Sequence, residues 1–298
     1  MTESLTKPRR MRMLLNEGRM VISPGAYDGY SVRLIEQMGF KAASTSGASL
    51  ANSCVGVPDV GVMDLTANVE ACRRLARAVS IPLMADADTG YGSAINVAYT
   101  VRYFEEAGIA GLNLEDQTWP KRCGYLQGKE VIEAREMTRK IESALRARSD
   151  ADFLIVARTD AIAVEGVDGA IRRLRAYADA GADMVYPDGV ASEDDVARIV
   201  DSVRAPVSMS IGFGIRARPH APLFSIRRLG ELGVARVCVP RLLPGAAIFA
   251  MRRSLQLLDE SARTGEAQNR EDLIASMGEI MTLMKYDDVQ LLDATIGG

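Results

Sequence analysis

Short apolar runs separated by amphipathic segments recur along most of the chain. In several places a helical stretch ends in a glycine, as at Gly39, Gly108, Gly181 and Gly233, and an apolar run follows. Glycine tolerates the left-handed backbone conformation that ends a helix, so this spacing is typical of a helix followed by a strand. The pattern predicts eight strands, near residues 19–23, 41–45, 82–86, 111–115, 153–158, 183–187, 206–210 and 235–239.

Between these runs the apolar residues recur at helical spacing. Around residues 62–80, for example, Leu65, Val69, Cys72 and Leu75 share one helix face. Strands that alternate with helices predict a parallel sheet, and eight such units predict an α/β fold closed into a (β/α)8 TIM barrel. An open doubly wound sheet is the alternative, but no G-x-G-x-x-G motif follows the first strand. The remaining helices are predicted over 93–107, 132–149, 167–180, 193–203 and 223–232.

The C-terminal part contains more helix than eight strand–helix units need. Its helical segments, 244–264 and 270–285, carry methionines that either pack on another subunit or fill the outer core of the barrel itself. No low-complexity linker divides the chain. We therefore predict one barrel domain, 1–298, with 244–298 as a C-terminal helical extension, in a homo-oligomer that is a tetramer or a dimer. The methionines are Met251, Met277, Met281 and Met284.

Composition and charge exclude several classes of protein. With 48% hydrophobic and 25% charged residues in 298, the chain is not intrinsically disordered. Its 36 Lys and Arg against 39 Asp and Glu leave a net charge of −3, which argues against nucleic-acid and membrane partners. The sequence contains no apolar run of membrane-spanning length and no signal-peptide core. Four scattered cysteines are typical of reduced thiols, so we expect a cytoplasmic protein that binds small molecules.

Acidic residues follow two neighbouring predicted strands. Asp86 and Asp88 end the third strand and Glu115 ends the fourth, and strand ends meet at the C-terminal face of a barrel. Each acid alone could be a helix cap, but together they repel one another unless a cation intervenes. Because the chain has a single histidine, His220, most kinds of zinc site are excluded. A hard, oxygen-ligated ion such as Mg²⁺ is therefore predicted.

A long connection, residues 117–132, follows the fourth strand. Connections of this length in a barrel are usually functional lids. The loop carries Lys121 and Arg122 just before Cys123, and neighbouring cations favour the thiolate of a cysteine. The other cysteines are predicted to be inert small apolar residues: Cys54, Cys72 and Cys238.

Seven short motifs occur along nearly the whole chain. They are AYDGYS (26–31), TSGAS (45–49), GVPDVG (56–61), DADTGYG (86–92), NLEDQ (113–117), PKRCG (120–124) and ARTDA (157–161). Together they resemble the isocitrate lyase and phosphoenolpyruvate mutase superfamily. Within it the chain is most similar to small lyases, such as methylisocitrate lyase and dimethylmalate lyase, and to carboxyphosphonoenolpyruvate mutase.

The resemblance implies a metal centre and a carboxylate-binding site. Asp86 would bind Mg²⁺, or alternatively Mn²⁺, directly, while Asp88 and Glu115 would hold its waters and Asp59 would lie on a nearby loop. The substrate carboxylate would be bound by Arg158 and by the backbone N–H groups of Ser46, Gly47 and Ala48.

The resemblance also implies a reaction. Cys123 would protonate the carbanion product, supported electrostatically by Lys121 and Arg122. The implied activity is that of a Mg²⁺-dependent carbon–carbon lyase, which would cleave a 2-hydroxy (di)carboxylate into a 2-oxo acid and an enolate-like carboxylate. Alternatives are oxaloacetate hydrolysis or decarboxylation, carboxyphosphonoenolpyruvate mutase chemistry, and a barrel that binds a carboxylate without catalysis.

The sequence departs from the family pattern on the substrate side. Tyr125 replaces a histidine, Asp188 a glutamate, and Ser44 an aromatic residue or histidine. Ser210 lies near a usual asparagine, and Phe213 lies where a glutamate-bearing turn is common. We predict that Asp188 and Ser210 contact the substrate, and that these departures disfavour a third carboxylate unless Arg122, Arg216 or Arg241 reaches the pocket. The group that accepts the hydroxyl proton stays open between Ser44, Tyr91 and Tyr125.

Overall fold

Eight parallel strands form the centre of the structure, a computed structural model that describes residues 5–124, 126–217 and 222–296. Tyr125 and His220 lie outside the described residues. All eight predicted strands are confirmed, and their ends lie close to the predicted positions. The strands are β1 (Val21–Pro24), β2 (Ala43–Ser44), β3 (Leu83–Asp86), β4 (Gly111–Glu115), β5 (Leu154–Thr159), β6 (Met184–Pro187), β7 (Ser208–Ser210) and β8 (Arg236–Val239).

The strands form two parallel sheets that meet at two seams. One sheet has the order β1-β8-β7 and the other has the order β2-β3-β4-β5-β6. A bridge between Gly25 and Ser44 joins β1 to β2, and a bridge between Val185 and Val207 joins β6 to β7. These two bridges close the ring, so the predicted (β/α)8 barrel is confirmed.

The helices begin where the sequence supplies caps. Asp28 accepts a hydrogen bond from the backbone N–H of Ser31, and Asp64 accepts one from Ala67, which satisfies N–H groups that a helix start leaves unpaired. A π-helical turn, Ala51–Val55, follows the third helix. The helices are α1 (Lys7–Asn16), α2 (Gly29–Gln37), α3 (Gly47–Leu50), α4 (Leu65–Ala78), α5 (Ala94–Glu106), α6 (Ala134–Ala147), α7 (Ile162–Asp179), α8 (Glu193–Ser202), α9 (Ile226–Glu231), α10 (Leu242–Thr264), α11 (Met277–Leu283) and α12 (Tyr286–Ile296).

The apolar core lies between the barrel and its helices. Val69, Cys72 and Leu75 of α4 are buried on one face, as the spacing predicts. Burial raises the pKa of the Cys72 thiol to about 12, so this cysteine is the inert apolar residue that we expected. A hydrogen bond from Cys72 to Asn68 holds the thiol inside α4.

A charged side chain crosses the interior of the barrel. Arg236 on β8 is fully buried and donates hydrogen bonds to the hydroxyls of Ser23 on β1, Ser208 on β7 and Ser44 on β2. Burial lowers the pKa of its guanidinium. The three serines are therefore held in fixed positions beneath the strand ends.

The C-terminal helices differ from the prediction in one place. A continuous helix over 270–285 is wrong, because α11 begins only at Met277, and Lys285 with φ 57° turns the chain before α12. No residue of α11 or α12 is buried, and Met251 and Met277 are mostly exposed. The methionines thus do not fill the core of the barrel in the single chain. In the described part of the chain, no helix has the length and apolar character needed to span a membrane.

Candidate active site

Carboxylates converge where β3 and β4 end. The backbone N–H of Gly47 donates to Asp86 at 2.9 Å, so the start of α3 orients the first carboxylate. Asp88 follows in a tight turn and has φ 48°, a left-handed conformation that is uncommon outside glycine. Such strain persists where surrounding structure fixes it, and it is concentrated at functional sites.

One ammonium group lies among these carboxylates. Lys121 Nζ is 2.5 Å from Asp59 and 2.7 Å from Asp88. Burial opposes the charge of Lys121, but the surrounding carboxylates raise its pKa well above the ordinary value. Burial raises the pKa of Asp88 to about 7, although Lys121 acts against this shift. We call the four carboxylates around Lys121 the acidic mouth: Asp59, Asp86, Asp88 and Glu115.

Gly47 lets the backbone approach the acidic mouth closely. A Cβ atom at this position would lie 2.7 Å from Asp88 Oδ1, 3.1 Å from Lys121 Nζ and 3.4 Å from Asp86 Oδ2. No side chain fits there without moving these groups. The Gly47 N–H that we predicted to bind substrate therefore binds Asp86 in this structure.

A second group of charges surrounds Arg158 on β5. Its guanidinium donates two hydrogen bonds to Asp160, at 2.8 and 3.0 Å. Its third nitrogen, Nη1, lies 3.2 Å from Glu115, and Nη2, which also donates to Asp160, lies 3.5 Å from Asp188. The guanidinium carbon lies 5.2 Å from the ring centre of Tyr186. Burial raises the pKa of Glu115 well above its ordinary value, while Arg158 opposes that shift.

The loop 117–132 is fastened over the strand ends. Lys129 Nζ contacts Asp160 at 2.8 Å and Asp188 at 3.0 Å, and donates to the carbonyl of Gly124 at 3.1 Å. The side chain of Gln117 binds the backbone of Arg122 through both its oxygen and its nitrogen. These contacts hold the loop in a closed position.

Cys123 lies on the inner side of this loop. Its side chain is buried, and its N–H donates to the carbonyl of Asp59 at 3.1 Å. Arg241, which immediately follows β8 and Pro240, donates from Nη2 to the Cys123 sulfur at 2.7 Å. The guanidinium of Arg241 also lies 6.0 Å from the ring centre of Phe213. The thiol thus faces a cation from the opposite side of the pocket.

The pocket enclosed by these groups is narrow, with a volume of about 50 Å³. That space accommodates only a few water molecules, so a larger molecule enters only when the loop moves. Most of the predicted site residues line it: Ser46, Ala48, Asp59, Asp86, Glu115, Lys121, Arg122, Cys123, Arg158, Asp188 and Ser210.

Some predicted residues lie elsewhere or point away. The side chain of Arg122 is exposed and donates to the carbonyl of Gln127, along the loop. Ser44 accepts from Arg236 below the pocket, and Tyr91 accepts from Asn68 beside it. Residues of the site that the sequence did not single out include Lys129 and Tyr186. Arg241, one of the three arginines considered for a third carboxylate, lines the pocket.

The donor set of the acidic mouth fits a divalent cation. Both carboxylate oxygens of Glu115 and the amide oxygen of Asn113 are buried and accept no hydrogen bond from the described residues. Among those residues, no three His, Cys, Asp or Glu side chains are grouped closely enough to coordinate a metal by themselves. Mg²⁺ retains several waters and needs only one or two carboxylates, so this spacing suits Mg²⁺ with bridging waters.

Comparisons with known proteins agree with this geometry. The family described as phosphoenolpyruvate phosphomutase matches residues 11–258. A 2,3-dimethylmalate lyase from Eubacterium barkeri is 34% identical over 281 residues, covering 94% of this chain and 96% of that protein. The structure of an oxaloacetate acetylhydrolase with 3,3-difluorooxalacetate has a TM-score of 0.90 at 30% identity, with 98% of each chain covered. A phosphonopyruvate hydrolase in complex with oxalate and Mg²⁺ has a TM-score of 0.84 at 30% identity, covering 97% of this chain and 99% of that one.

Replacement of Lys129 by methionine should loosen the loop 117–132. Each hydrogen bond to a charged group contributes about 1.5–3 kcal/mol, and Lys129 makes two to carboxylates. Losing these bonds should make opening of the loop easier by more than about 1.4 kcal/mol, which corresponds to a factor of ten. We therefore expect trypsin to cleave after the exposed Arg122 at least about tenfold faster. The matched control is Glu130→Gln, an exposed position in the same loop. Equal cleavage rates in both variants would show that Lys129 does not hold the loop.

Proposed function

The chain belongs to the phosphoenolpyruvate mutase and isocitrate lyase superfamily, and we propose that it is a Mg²⁺-dependent lyase that cleaves a 2-hydroxy dicarboxylate at its C2–C3 bond. The observation that carries the proposal is the position of Cys123, a buried thiol on a closed loop that faces the same narrow pocket as the acidic mouth. A lyase of this kind needs a cation site at one end of the substrate and a proton donor at the other.

The acidic mouth would hold the metal. Asp86 would bind it directly, and Asp88, Glu115 and Asp59 would hold its waters. When bound there, Mg²⁺ supplies a Lewis acid and a template for the 2-hydroxy carboxylate end of the substrate. The buried oxygens of Glu115, which accept no hydrogen bond from the described residues, support this assignment.

The chain's own residues position the substrate and supply the proton. Arg158 and the backbone at Ser46 and Ala48 orient the carboxylate, because they line the pocket beside Asp86. The C2 hydroxyl gives its proton to a basic group of the pocket and becomes the carbonyl of the 2-oxo acid, while the C2–C3 bond breaks and its electron pair passes to C3 and to the carboxylate on C3. Cys123 donates its proton to C3, and the closed loop excludes water while the enolate-like product exists.

Hydrolysis of oxaloacetate is the second candidate. It is favoured by the close structural similarity to an oxaloacetate acetylhydrolase. The two reactions are distinguished by their products, since hydrolysis of oxaloacetate releases oxalate and acetate, whereas lyase cleavage releases a 2-oxo acid.

We also propose that the chain forms a dimer or a tetramer in the cytoplasm. The exposed apolar faces of α11 and α12, with Met277, Leu291 and Leu292, support packing between subunits. None of the four cysteines forms a disulfide, which is consistent with a reducing compartment.

Replacement of Asp86 by asparagine should remove metal binding and activity. An asparagine oxygen can still accept from the Gly47 N–H, so the fold should survive, but the negative charge is lost. We expect Mg²⁺ affinity in calorimetry to fall at least about tenfold, and turnover to be lost. Asp168→Asn, an exposed position, is the control. An Asp86→Asn variant that remained active with a chelator present would exclude the metal site.

Replacement of Cys123 by serine should reduce turnover far more than substrate binding. A hydroxyl is a much weaker acid than a thiol of pKa about 8.5, and general acid catalysis contributes about 10²–10⁴-fold. We therefore expect kcat to fall by about two orders of magnitude or more while KM changes little. The exposed Cys54→Ser is the control. Unchanged kcat in Cys123→Ser would favour decarboxylation, which needs no such thiol.

The substrate itself can be identified with a panel of acids. A third buried carboxylate would need its own cation. At the end of the pocket remote from the metal, Arg241 is one cation beside Cys123, whereas Ser210 brings no charge, and Arg158 already pairs with Glu115, Asp160 and Asp188. We expect kcat/KM for 2,3-dimethylmalate to exceed that for methylisocitrate by at least about tenfold, or about 1.4 kcal/mol. Both are assayed with Mg²⁺ for pyruvate release, and oxaloacetate is assayed for oxalate. A tenfold preference for methylisocitrate would refute the dicarboxylate assignment, and no turnover of any acid would refute the lyase.

A further inference from the structure

The turn that ends β3 and leads to α5, residues 86–92, has an unfavourable backbone conformation. Asp88 and Tyr91 have φ values of 48° and 58°, in the left-handed region that residues other than glycine rarely adopt. Contacts from outside the turn must therefore hold it. Because the turn carries Asp86 and Asp88 of the acidic mouth, those contacts also determine where the two carboxylates point.

The backbone carbonyls of this turn are all engaged. Each of the five consecutive carbonyls from residue 86 to residue 90 accepts a hydrogen bond. Two of the donors are backbone N–H groups, one in the turn and one in β4, and the other three are buried side chains, one each from α4, α5 and α6. The pairs are Asn68 Nδ2 with Asp86 (2.8 Å), Gly90 N–H with Ala87 (2.9 Å), Glu115 N–H with Asp88 (2.9 Å), Lys140 Nζ with Thr89 (3.1 Å) and Thr100 Oγ1 with Gly90 (3.1 Å).

Lys140 on α6 is the one charged side chain among these three. The residue is 4% exposed, and its ammonium donates to the carbonyl of Thr89. Among the described residues, no carboxylate lies within ion-pair distance of it, and burial lowers the pKa of this ammonium. A buried charge without an opposite partner is costly. Stability alone therefore does not explain a lysine here, and its contact with the turn is the feature that does.

We propose that Lys140 is a positioning residue for the divalent cation of the acidic mouth, a role that rests on the proposed metal site. By holding the carbonyl of Thr89, it keeps the backbone left-handed at Asp88 and keeps that carboxylate directed into the acidic mouth. Mg²⁺ requires near-ideal octahedral geometry, so a small rotation of this carboxylate weakens its binding. Lys140 itself lies behind the turn and does not line the pocket.

The charge of Lys140 and its hydrogen bond act in opposite directions on cation binding. An ammonium repels a nearby cation, so loss of the charge alone would strengthen the binding of Mg²⁺ and of Ca²⁺. Loss of the hydrogen bond loosens the turn, which weakens Mg²⁺ binding more than Ca²⁺ binding, because Ca²⁺ accepts a flexible coordination. The direction of the change and the ratio of the two affinities therefore separate positioning from electrostatics.

Lys140→Met tests the proposal, because methionine has a similar size but neither a donor nor a charge. We expect the Mg²⁺ dissociation constant, measured by calorimetry, to rise about tenfold and the Ca²⁺ constant to rise less. The matched control is Ser143→Ala, which removes another hydrogen bond of α6, to the carbonyl of Ala94 at 2.6 Å, and leaves the turn untouched. Unchanged or tighter Mg²⁺ binding in Lys140→Met, an equal loss for both ions, or the same loss in Ser143→Ala would overturn the proposal.

Amide hydrogen exchange of the metal-free protein measures the turn directly. The N–H groups of Gly90 and Glu115 donate to carbonyls of the turn, so their exchange reports its opening. We expect Lys140→Met to accelerate exchange at both groups at least about tenfold, since a hydrogen bond from a charged donor is lost, and Ser143→Ala to leave it unchanged. Equal rates in Lys140→Met and the parent protein would contradict the role of Lys140.

The two measurements keep this role distinct from the metal site itself. A parent protein that binds no Mg²⁺ would reject the metal site, and faster exchange in Lys140→Met would still identify Lys140 as the residue that fixes the turn. Mg²⁺ binding together with unchanged exchange would retain the metal site and reject Lys140. If Lys140→Met fails to fold, Lys140→Gln, whose amide nitrogen ends one bond short of the ammonium, should show the same two changes, and their absence would overturn the proposal.

Discussion

An excess of carboxylates at one end of the barrel governs the rest of the site. The described residues at this end include six acidic side chains and three cations that pair with them. In a buried setting such an excess is unfavourable unless protons or another cation balance it. Burial, reinforced by neighbouring carboxylates, raises the pKa of Asp88 and of Glu115. A divalent ion removes the imbalance without protonating the ligands. The acids are Asp59, Asp86, Asp88, Glu115, Asp160 and Asp188, and the cations are Lys121, Lys129 and Arg158.

The same acids connect loop closure to substrate binding. Asp188 contacts both Lys129, which fastens the loop, and Arg158, the residue that we propose binds the substrate carboxylate. Such binding would change the partners of Asp188, and through them the contact with Lys129. The proposed site therefore couples opening of the loop to occupation of the pocket.

The sequence predicts the regular part of this structure well and the pairing within the site less well. Strand positions follow from local apolar runs, and a barrel brings the ends of its strands together. The closeness of Asp86 and Glu115 could therefore be predicted without a structure. Lys121 could not be assigned to Asp59 and Asp88, because that pairing depends on how a loop folds over distant strands. Lys129 gave no local signal for the same reason. Arg241 is a candidate from the sequence because it comes directly after the predicted eighth strand, but its contact with Cys123 depends on how the loop 117–132 folds.

Arg236 contacts both sheets at the seam between β1 and β2, and this gives it a role in the cooperativity of folding. Ser23 and Ser208 belong to the same sheet as Arg236, but Ser44 belongs to the other. Until the two sheets meet at the bridge between Gly25 and Ser44, this guanidinium lacks one acceptor and is open to water. Its burial is favourable only in the completed ring, because a buried charge without its full set of partners is costly. Partly assembled barrels are therefore penalised by a single side chain, which makes ring closure an all-or-none event that joins the sheet of β1, β8 and β7 to the sheet of β2 to β6.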